Sequence, residues 1–249
     1  NMLELKNISL SVEDEFTGNG QKEILRDVSL TIETGKLVVV TGPNGGGKST
    51  MAKMIAGILK PNQGQILLDG EDVTDLDITQ RATRGISFAF QQPVRFKGIT
   101  VRDLINLASG REISDCEACG YLKEVGLCAR DYIDREVNAS LSGGEIKRIE
   151  IATVMARKTK LTIFDEPEAG IDLWSFNNLI DVFKNLRKEI NGSMLIISHQ
   201  ERILDIADEI IVIADGKVMA RGKKEEVLPE LLREDCQYCV GGKGRRVVQ

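Results

Sequence analysis

Residues 37–56 of this 249-residue chain read LVVVTGPNGGGKSTMAKMIA, and they decide its fold. The apolar run 37–40 is typical of a strand that is buried on both faces. Residues 51–56 carry apolar side chains at helical spacing. Four glycines lie between the predicted strand and the predicted helix. Because glycine loses more conformational entropy on folding than any other residue, a turn this rich in glycine needs a physical reason.

The turn matches the phosphate-binding pattern G-x-x-x-x-G-K-[ST] over residues 42–49, with a strand before it and a helix after it, as the pattern requires. Glycines let backbone N–H groups wrap a triphosphate closely, and the helix start adds partial positive charge. We predict that Lys48 reaches the β- and γ-phosphates and that Ser49 ligates Mg²⁺. The alternative is a glycine-rich turn without a ligand. The predicted nucleotide-binding residues are Gly42, Pro43, Asn44, Gly45, Gly46, Gly47, Lys48, Ser49 and Thr50.

A second motif, LTIFDE at residues 161–166, is a mostly apolar run that ends in two acids. Asp165, at the carboxyl end of this predicted strand, is suited to hold Mg²⁺ through water. Glu166 is suited to orient or deprotonate an attacking water. A strand followed by an acidic turn is a common alternative, but the P-loop earlier in the chain favours the catalytic interpretation.

A third motif, LSGGE at residues 141–145, precedes a helical run. The Ser142 hydroxyl and the backbone of Gly143 and Gly144, at a helix start, make a second phosphate-binding surface. One triphosphate does not need two such surfaces from one chain. A head-to-tail dimer needs both, because each chain then closes the site of the other. We therefore predict a nucleotide-dependent homodimer in which these three residues act in trans.

Short β-branched strands alternate with helical stretches, which predicts an α/β fold of the P-loop NTPase type with a mainly parallel core sheet. Candidate core strands are Leu37–Thr41, 86–90, Leu161–Asp165, 194–198 and 210–213. Alternating apolar and polar residues over 3–12 and 24–32 predict an N-terminal antiparallel β-subdomain, with a loop over 13–22. Helical periodicity predicts a helical subdomain inserted at about 97–150, within a single domain 1–249 whose residues 236–249 form a flexible tail.

The composition, 42% hydrophobic and 29% charged, is typical of a soluble globular protein. The net charge of −5 argues against broad nucleic-acid binding. No charged leader and no long apolar segment is present, so we expect a cytoplasmic protein with no direct membrane insertion. Two C-x-x-C pairs could in principle form a zinc site, but their separation along the chain favours free thiols. The five cysteines are Cys116, Cys119, Cys128, Cys236 and Cys239.

Together the three motifs resemble those of the ATP-binding cassette (ABC) ATPases, whose signature begins LSGG, over about residues 3–225. The resemblance implies ATP and Mg²⁺ as cofactors, ATP hydrolysis, and closure of two chains around two nucleotides. Gln91 matches the glutamine that binds metal and senses the partner, with Gln92 a less favoured substitute. His199, the only histidine, matches the switch histidine at the γ-phosphate, and Asp172 matches the D-loop aspartate that reaches across the dimer. The implied catalytic residues are Lys48, Gln91, Glu166 and His199, and the implied magnesium ligands are Ser49, Gln91 and Asp165.

The family usually places an aromatic residue of the first sheet on the adenine ring. Phe16 is the candidate in this sequence, in a region that resembles a lengthened loop. The alternative is that its ring covers the edge of the core.

Two departures from transporter subunits narrow the resemblance. The signature continues EIKR at 145–148 where transporter subunits usually read LSGGQ, and the acidic motif continues EPEAGID where they commonly read EPTSALD. Both features, with residues 89–94, resemble SufC, the ATPase of the SUF iron–sulfur cluster assembly system. This implies a soluble SufB- or SufD-type scaffold as the partner, docked around residues 90–103. Pro167 is more typical of transporters, so the nucleotide-binding subunit of a membrane ABC transporter is the alternative, and a nucleotide-binding regulator with negligible turnover is a third hypothesis.

Overall fold

The structure, a computed structural model, describes residues 2–13, 21–89, 98–189 and 191–233. The chain divides into two compact units. The first unit is Asn1–Arg84 together with Leu195–Gln249, and the second unit is Gly85–Met194. Among the helices of the described residues, none combines the length and the apolar character that crossing a bilayer requires.

In chain order, the elements as far as residue 89 are β1 (Leu3–Glu13), β2 (Gln21–Ile32), β3 (Leu37–Thr41), α1 (Lys48–Ala56), β4 (Gln63–Leu68), β5 (Glu71–Asp72), α2 (Ile78–Thr83) and β6 (Ile86–Ala89). They continue with α3 (Val101–Ser109), α4 (Asp115–Glu124), α5 (Ala129–Tyr132), α6 (Gly143–Arg157), β7 (Leu161–Asp165) and α7 (Leu173–Glu189). The last elements described are β8 (Ser193–Ile197), α8 (Glu201–Leu204), β9 (Glu209–Ala214), β10 (Lys217–Lys223) and α9 (Lys224–Leu231).

The first unit contains an antiparallel sheet in the order β2-β1-β4-β5. Leu3 and Leu5 of β1 are buried, and the buried positions then change to Ile8 and Leu10. The change of phase follows from a bulge between Leu5 and Ile8, where Asn7 takes a φ of 50°. An extra residue in one strand shifts which side chains face the core, so the bulge keeps both apolar pairs inside.

The first unit also contains the parallel strands that carry the glycine-rich turn. All five residues of β3 are buried, and β3 pairs in parallel with β9, with Val39 opposite Ile210. β10 returns antiparallel to β9. Burial on both faces explains why β3 and β9 read as continuous apolar runs rather than as alternating ones.

Arg81 of α2 is a buried cation that holds the far end of α1. Its side chain is 1% exposed. Its guanidinium donates to the carbonyl of Met54, to that of Ile55 at 3.0 Å and to that of Thr74 at 2.9 Å. The carbonyls of Met54 and Ile55 belong to the last turn of α1, where the helix dipole favours positive charge. Burial lowers the pKa of Arg81, and the charges of nearby carboxylates oppose that shift.

Replacing Arg81 by Met is therefore expected to lower the free energy of unfolding by about 3 kcal/mol, because three carbonyls lose their charged donor in a dry site. The measurement is urea unfolding of the purified protein. Arg84→Met is the matched control, since the Arg84 side chain makes a solvent-accessible ion pair with Glu71 at 3.1 Å and an exposed hydrogen bond to the carbonyl of Gln80 at 3.4 Å, and its loss should cost less than about 1 kcal/mol. Equal losses for the two variants would contradict this account.

The second unit is built on two parallel strands and a layer of helices. β6 pairs in parallel with β7, with Ile86 opposite Leu161. Phe164 of β7 meets Phe183 of α7 edge to face, with ring centroids 5.1 Å apart. The helices α3, α4 and α7 each contact α6, whose sides are mostly buried. The long α6 is therefore the central helix of this unit.

The predicted α/β class, with an antiparallel sheet and parallel core strands, is confirmed. The loop predicted over 13–22 is wrong at both ends, because Glu13 pairs with Gln21 and Val12 with Lys22 as strand residues. The predicted strand 194–198 lies one residue earlier, as β8. Strands β4, β5 and β10 were missed, since their exposed residues weaken the apolar pattern. The subdomain boundary at 97–150 stays a prediction, and α6 continues to Arg157.

Candidate functional site

The glycine-rich turn of the first unit is shaped by contacts with its own neighbours. Gly42 has a φ of 138°, and a Cβ there would lie 1.9 Å from the carbonyl oxygen of Ile213 in β9. At Gly47, with a φ of 101°, a Cβ would lie 2.8 Å from Leu25. Part of the glycine content is thus required by packing alone. Gly45, with a φ of 76° and no atom within 4 Å of its would-be Cβ, needs glycine for its backbone conformation only.

Lys48 begins α1 directly after this turn. Its side chain is 6% exposed, and its Nζ donates to the carbonyls of Gly42 and Pro43, each at 2.8 Å. The turn therefore encloses an ammonium group directly at the start of a helix. Backbone donors, a helix dipole and a fixed cation in one place suit a polyphosphate.

His199 lies near the turn in the topology of the first unit. The last residues of β8 lie beside β3, and the N–H of Ser198 donates to the carbonyl of Val40 at 3.1 Å. His199 therefore leaves its strand at the level where β3 enters the turn. It is half-buried. Within this unit, the fold places the predicted P-loop and the predicted switch histidine at the same ends of neighbouring strands.

In the second unit, Asp165 and Glu166 occupy contrasting positions at the end of β7. Asp165 is 3% exposed. Glu166 has a φ of 47°, in the left-handed region that non-glycine residues seldom adopt. Its carbonyl accepts from the N–H of Ala169 at 3.0 Å, which closes a turn. Strained backbone at the end of a strand is a frequent feature of catalytic residues, and the catalytic role of Glu166 stays a prediction.

The signature motif forms the start of α6. The Ser142 Oγ accepts from the N–H of Glu145 at 3.1 Å, and the Glu145 carboxylate accepts from the N–H of Ser142 at 2.7 Å. Tyr132 donates its hydroxyl to Glu145 at 2.5 Å. Burial opposes ionisation of Glu145, but these hydrogen bonds outweigh it and lower its pKa. The cap leaves the Ser142 hydroxyl proton and the N–H groups of Gly143 and Gly144 as donors at the helix start, where Ser142 is exposed, Gly143 half-buried and Gly144 buried.

The predicted D-loop packs against the signature in the same unit. A Cβ on Gly144 would lie 2.7 Å from the Oγ of Ser175, so glycine is required there for close approach. Asp172 caps α7, because its carboxylate accepts from the N–H of Ser175 at 2.7 Å, and this bond lowers its pKa. We call Ser142, Gly143, Gly144 and Asp172 the signature surface. Sequence reasoning selected all four residues, and the fold assembles them.

Comparison with known proteins decides the family. The model of the family described as ABC transporter matches residues 25–169. The chain belongs to the ABC ATPase family. An uncharacterized ABC transporter ATP-binding protein of Methanocaldococcus jannaschii is 40% identical over 238 residues, 92% of this chain and 94% of that protein. The lipopolysaccharide export ATP-binding protein LptB of Haemophilus influenzae is 31% identical, covering 88% and 92% of the two chains.

Solved structures show the same fold. A dimeric ATP-binding cassette in a post-hydrolysis state, bound to ADP and phosphate, has a TM-score of 0.77 and 26% identity, covering 90% of this chain and 99% of that one. The ABC ATPase is therefore an enzyme that hydrolyses ATP. The relatives described here are named as transporter subunits and include no SufC protein, so the comparisons favour the transporter alternative over the SufC-like assignment.

The residues present fit a magnesium nucleotide by their chemistry. The turn of the ABC ATPase offers backbone donors and Lys48 to phosphate oxygens. Ser49 offers a hydroxyl oxygen and Asp165 a carboxylate, both hard ligands of the kind Mg²⁺ prefers. Ser49 belongs to the first unit and Asp165 to the second. Their joint ligation of Mg²⁺ stays a prediction.

Sequence reasoning gave Lys147 no role in the site. This lysine of α6 is 5% exposed, and its Nζ donates to the carbonyls of Pro167 and Ala169, the latter at 2.6 Å. Burial lowers its pKa, and nearby carboxylates, Glu168 foremost, oppose that shift. Lys147 thus ties the signature helix to the segment between Glu166 and Asp172. Its position on the apolar stripe of α6, one turn before Ile151, was the available signal.

Several predicted residues lie outside the described part of the chain. They are Gln91 and Gln92, the candidate adenine-stacking Phe16, the first part of the docking region 90–103, Cys236 and Cys239, and the tail 236–249. The other cysteines, Cys116, Cys119 and Cys128, are exposed free thiols. Within the described residues, no group of three or more histidine, cysteine or acidic side chains is arranged to hold a metal ion.

Proposed function

We propose that this ABC ATPase closes as a head-to-tail homodimer on ATP and that closure drives a conformational change in a partner protein. The observation that supports the proposal is that one chain builds two separate helix starts beside glycine-containing motifs, one at Lys48 and one at Ser142, and we propose that each binds phosphate. They lie in different units and follow different strands and loops. A single chain needs only one of them for one triphosphate, whereas two chains arranged head to tail use both.

In this proposal each chain supplies the first part of one site and the second part of the other. Lys48 binds the β- and γ-phosphates, and His199 contacts the γ-phosphate. Glu166 orients the attacking water, while Ser142 and Asp172 approach from the second chain. A bound Mg²⁺, held by Ser49, Gln91 and Asp165, would neutralise charge on the phosphates. Catalysis consists mainly of positioning and charge stabilisation. Closure of the dimer is therefore the step that brings the catalytic groups of the two chains together.

For the partner, we propose the membrane-embedded part of an ABC transporter. The support is that the relatives described above carry the names of transporter ATP-binding proteins and that one of them covers nearly the full length of this chain. Pro167, whose carbonyl accepts a hydrogen bond from Lys147, is more typical of transporter subunits and agrees with this choice.

A SufC-like role is the second candidate, and the signature helix is the specific observation that favours it. The EIKR sequence that suggests SufC has structural roles, because Glu145 caps the helix and Lys147 is buried against the following motif. In this candidate the partner is a soluble SufB- or SufD-type scaffold. ATP-driven closure would then distort the scaffold and open its cluster site.

Purification from the native host separates the two candidates. We expect the chain, extracted with a mild detergent, to co-purify with a polytopic membrane protein and to lose it without detergent. A soluble partner that holds iron and sulfide would replace the transporter proposal by the scaffold one. The matched control is the Lys48→Ala chain. It should still co-purify with any partner that binds the ATPase in its nucleotide-free form.

A further inference from the structure

Two adjacent apolar side chains are exposed at the start of α7 in the second unit. Leu173 is 76% exposed and Trp174 is 71% exposed. Trp174 is the only tryptophan in the whole sequence. Two adjacent large apolar side chains exposed to water are unfavourable, which indicates that another surface covers them.

The backbone that presents this pair is held on both sides. Asp172, immediately before it, caps the helix, and Ser175, immediately after it, is 7% exposed and packs against Gly144 of the signature. The pair is therefore not at the tip of a loose loop. Groups that are already ordered lose little entropy on binding, which favours their use as contacts.

The position of the pair indicates its occupant. Leu173 and Trp174 directly continue the signature surface, since Gly143 lies against the carbonyl of Gly170, with a would-be Cβ at 3.4 Å, and Gly144 lies against Ser175. In the proposed function the signature surface faces the nucleotide of a second copy. The same fold has been solved in a dimeric state.

We propose that a second copy of this chain covers Leu173 and Trp174 when the dimer closes on ATP, and that the pair is an apolar anchor of that interface. This inference rests on the proposed function and deepens it. Tryptophan is enriched among the residues that dominate interface energetics, and its ring buries about 150–250 Å². The anchor adds affinity without touching the nucleotide.

Tryptophan fluorescence tests the proposal without altering either anchor residue. In the full-length Glu166→Gln chain with Mg²⁺-ATP, we expect the emission of Trp174 to shift to shorter wavelength and its quenching by acrylamide to fall. Both changes should follow protein concentration in step with the doubling of mass measured by light scattering. ADP should produce neither change. A doubled mass with unchanged Trp174 emission and quenching would overturn the inference and leave the dimer proposal intact.

A matched pair of substitutions gives the second arm. Leu107 of α3 is 75% exposed in the same unit, so Leu107→Ala removes the same kind of side chain as Leu173→Ala, at nearly the same exposure, from a different helix. We expect Leu173→Ala and Trp174→Ala to weaken dimerisation by about 30-fold or more, the range of an interface hot spot, and Leu107→Ala to change it less than about threefold. ATP affinity of the monomer should be unchanged in all three variants.

Three further results would contradict the anchor. Dimerisation that is equally strong in the Leu173→Ala, Trp174→Ala and Leu107→Ala variants would show that the pair is not covered by the second copy. Binding of ATP by the Glu166→Gln chain with no dimer at any concentration would overturn the proposed function itself, and the anchor with it. Loss of a separately isolated partner by Trp174→Ala, with the dimer intact, would assign the pair to that partner instead.

Discussion

Replacing Glu166 by Gln is expected to reduce ATP hydrolysis by about 10²–10⁴-fold, the range of a lost general base, while ATP binding is retained. Glutamine has nearly the same shape, so the turn closed between Glu166 and Ala169 should persist. The neutral amide can still hold a water but cannot accept its proton. Nucleotide should therefore bind and the cycle should stop before cleavage.

Phosphate release from the wild type and from Glu166→Gln, with the native partner present, is the measurement. Glu189→Gln is the matched control, because Glu189 is an exposed glutamate at the end of α7 in the same unit, and it should hydrolyse ATP at the wild-type rate. Equal and slow release by the wild type and Glu166→Gln would contradict the assignment of the base. It would support the regulator hypothesis instead.

Replacing Lys48 by Ala is expected to weaken ATP binding by at least about 30-fold, which corresponds to about 2 kcal/mol, the lower end for the loss of one partner of a buried charge pair. The substitution removes the enclosed ammonium that is proposed to bind the phosphates. It also leaves the carbonyls of Gly42 and Pro43 without their donor. Both effects act in the same direction, since a looser turn also presents its N–H groups less well.

Titration calorimetry with ATP checks this result. Lys53→Ala supplies the comparison, because Lys53 lies on the same helix but is exposed and outside the turn. It should leave the affinity within about twofold of the wild type. If Lys48→Ala binds ATP as tightly as Lys53→Ala, the phosphate site lies elsewhere in the chain.

The sequence supported the core and the motifs because their signals are local. A strand buried on both faces reads as an unbroken apolar run, as in β3, and the glycine-rich turn has a fixed pattern directly after it. The start of α6 was predictable for the same reason, since the Ser-Gly-Gly motif directly precedes a helical run. Such features depend on neighbours along the chain and not on the rest of the fold.

Other features depend on contacts that are distant in sequence. The bulge at Asn7 is supported by Asp27, whose carboxylate accepts from the Asn7 amide at 2.8 Å. Two of the three carbonyls that hold Arg81 lie 26 and 27 residues before it, and those that hold Lys147 lie 20 and 22 residues after it. A buried cation cannot be distinguished from a surface one until those carbonyls have been placed around it.

The glycines of the turn can be favoured for two separate reasons, a ligand and packing. Their density in the sequence predicts a ligand, and the structure shows that Gly42 and Gly47 are also required by contacts with Ile213 and Leu25. The proposed phosphate binding and the packing can therefore not be separated by substitution at these two positions. A substitution at Gly42 would disturb both, which makes Lys48 the better residue for testing the site.

The solution mass of the Glu166→Gln chain, measured by light scattering with and without Mg²⁺-ATP, tests the central claim that two chains enclose the nucleotides. We predict a rise from 27.5 kDa to twice that value on adding Mg²⁺-ATP, and no rise when Ser142→Arg is added to the same chain. A mass that stays at 27.5 kDa with ATP bound would contradict the account. So would doubling that survives Ser142→Arg, because the signature surface would then lie outside the interface.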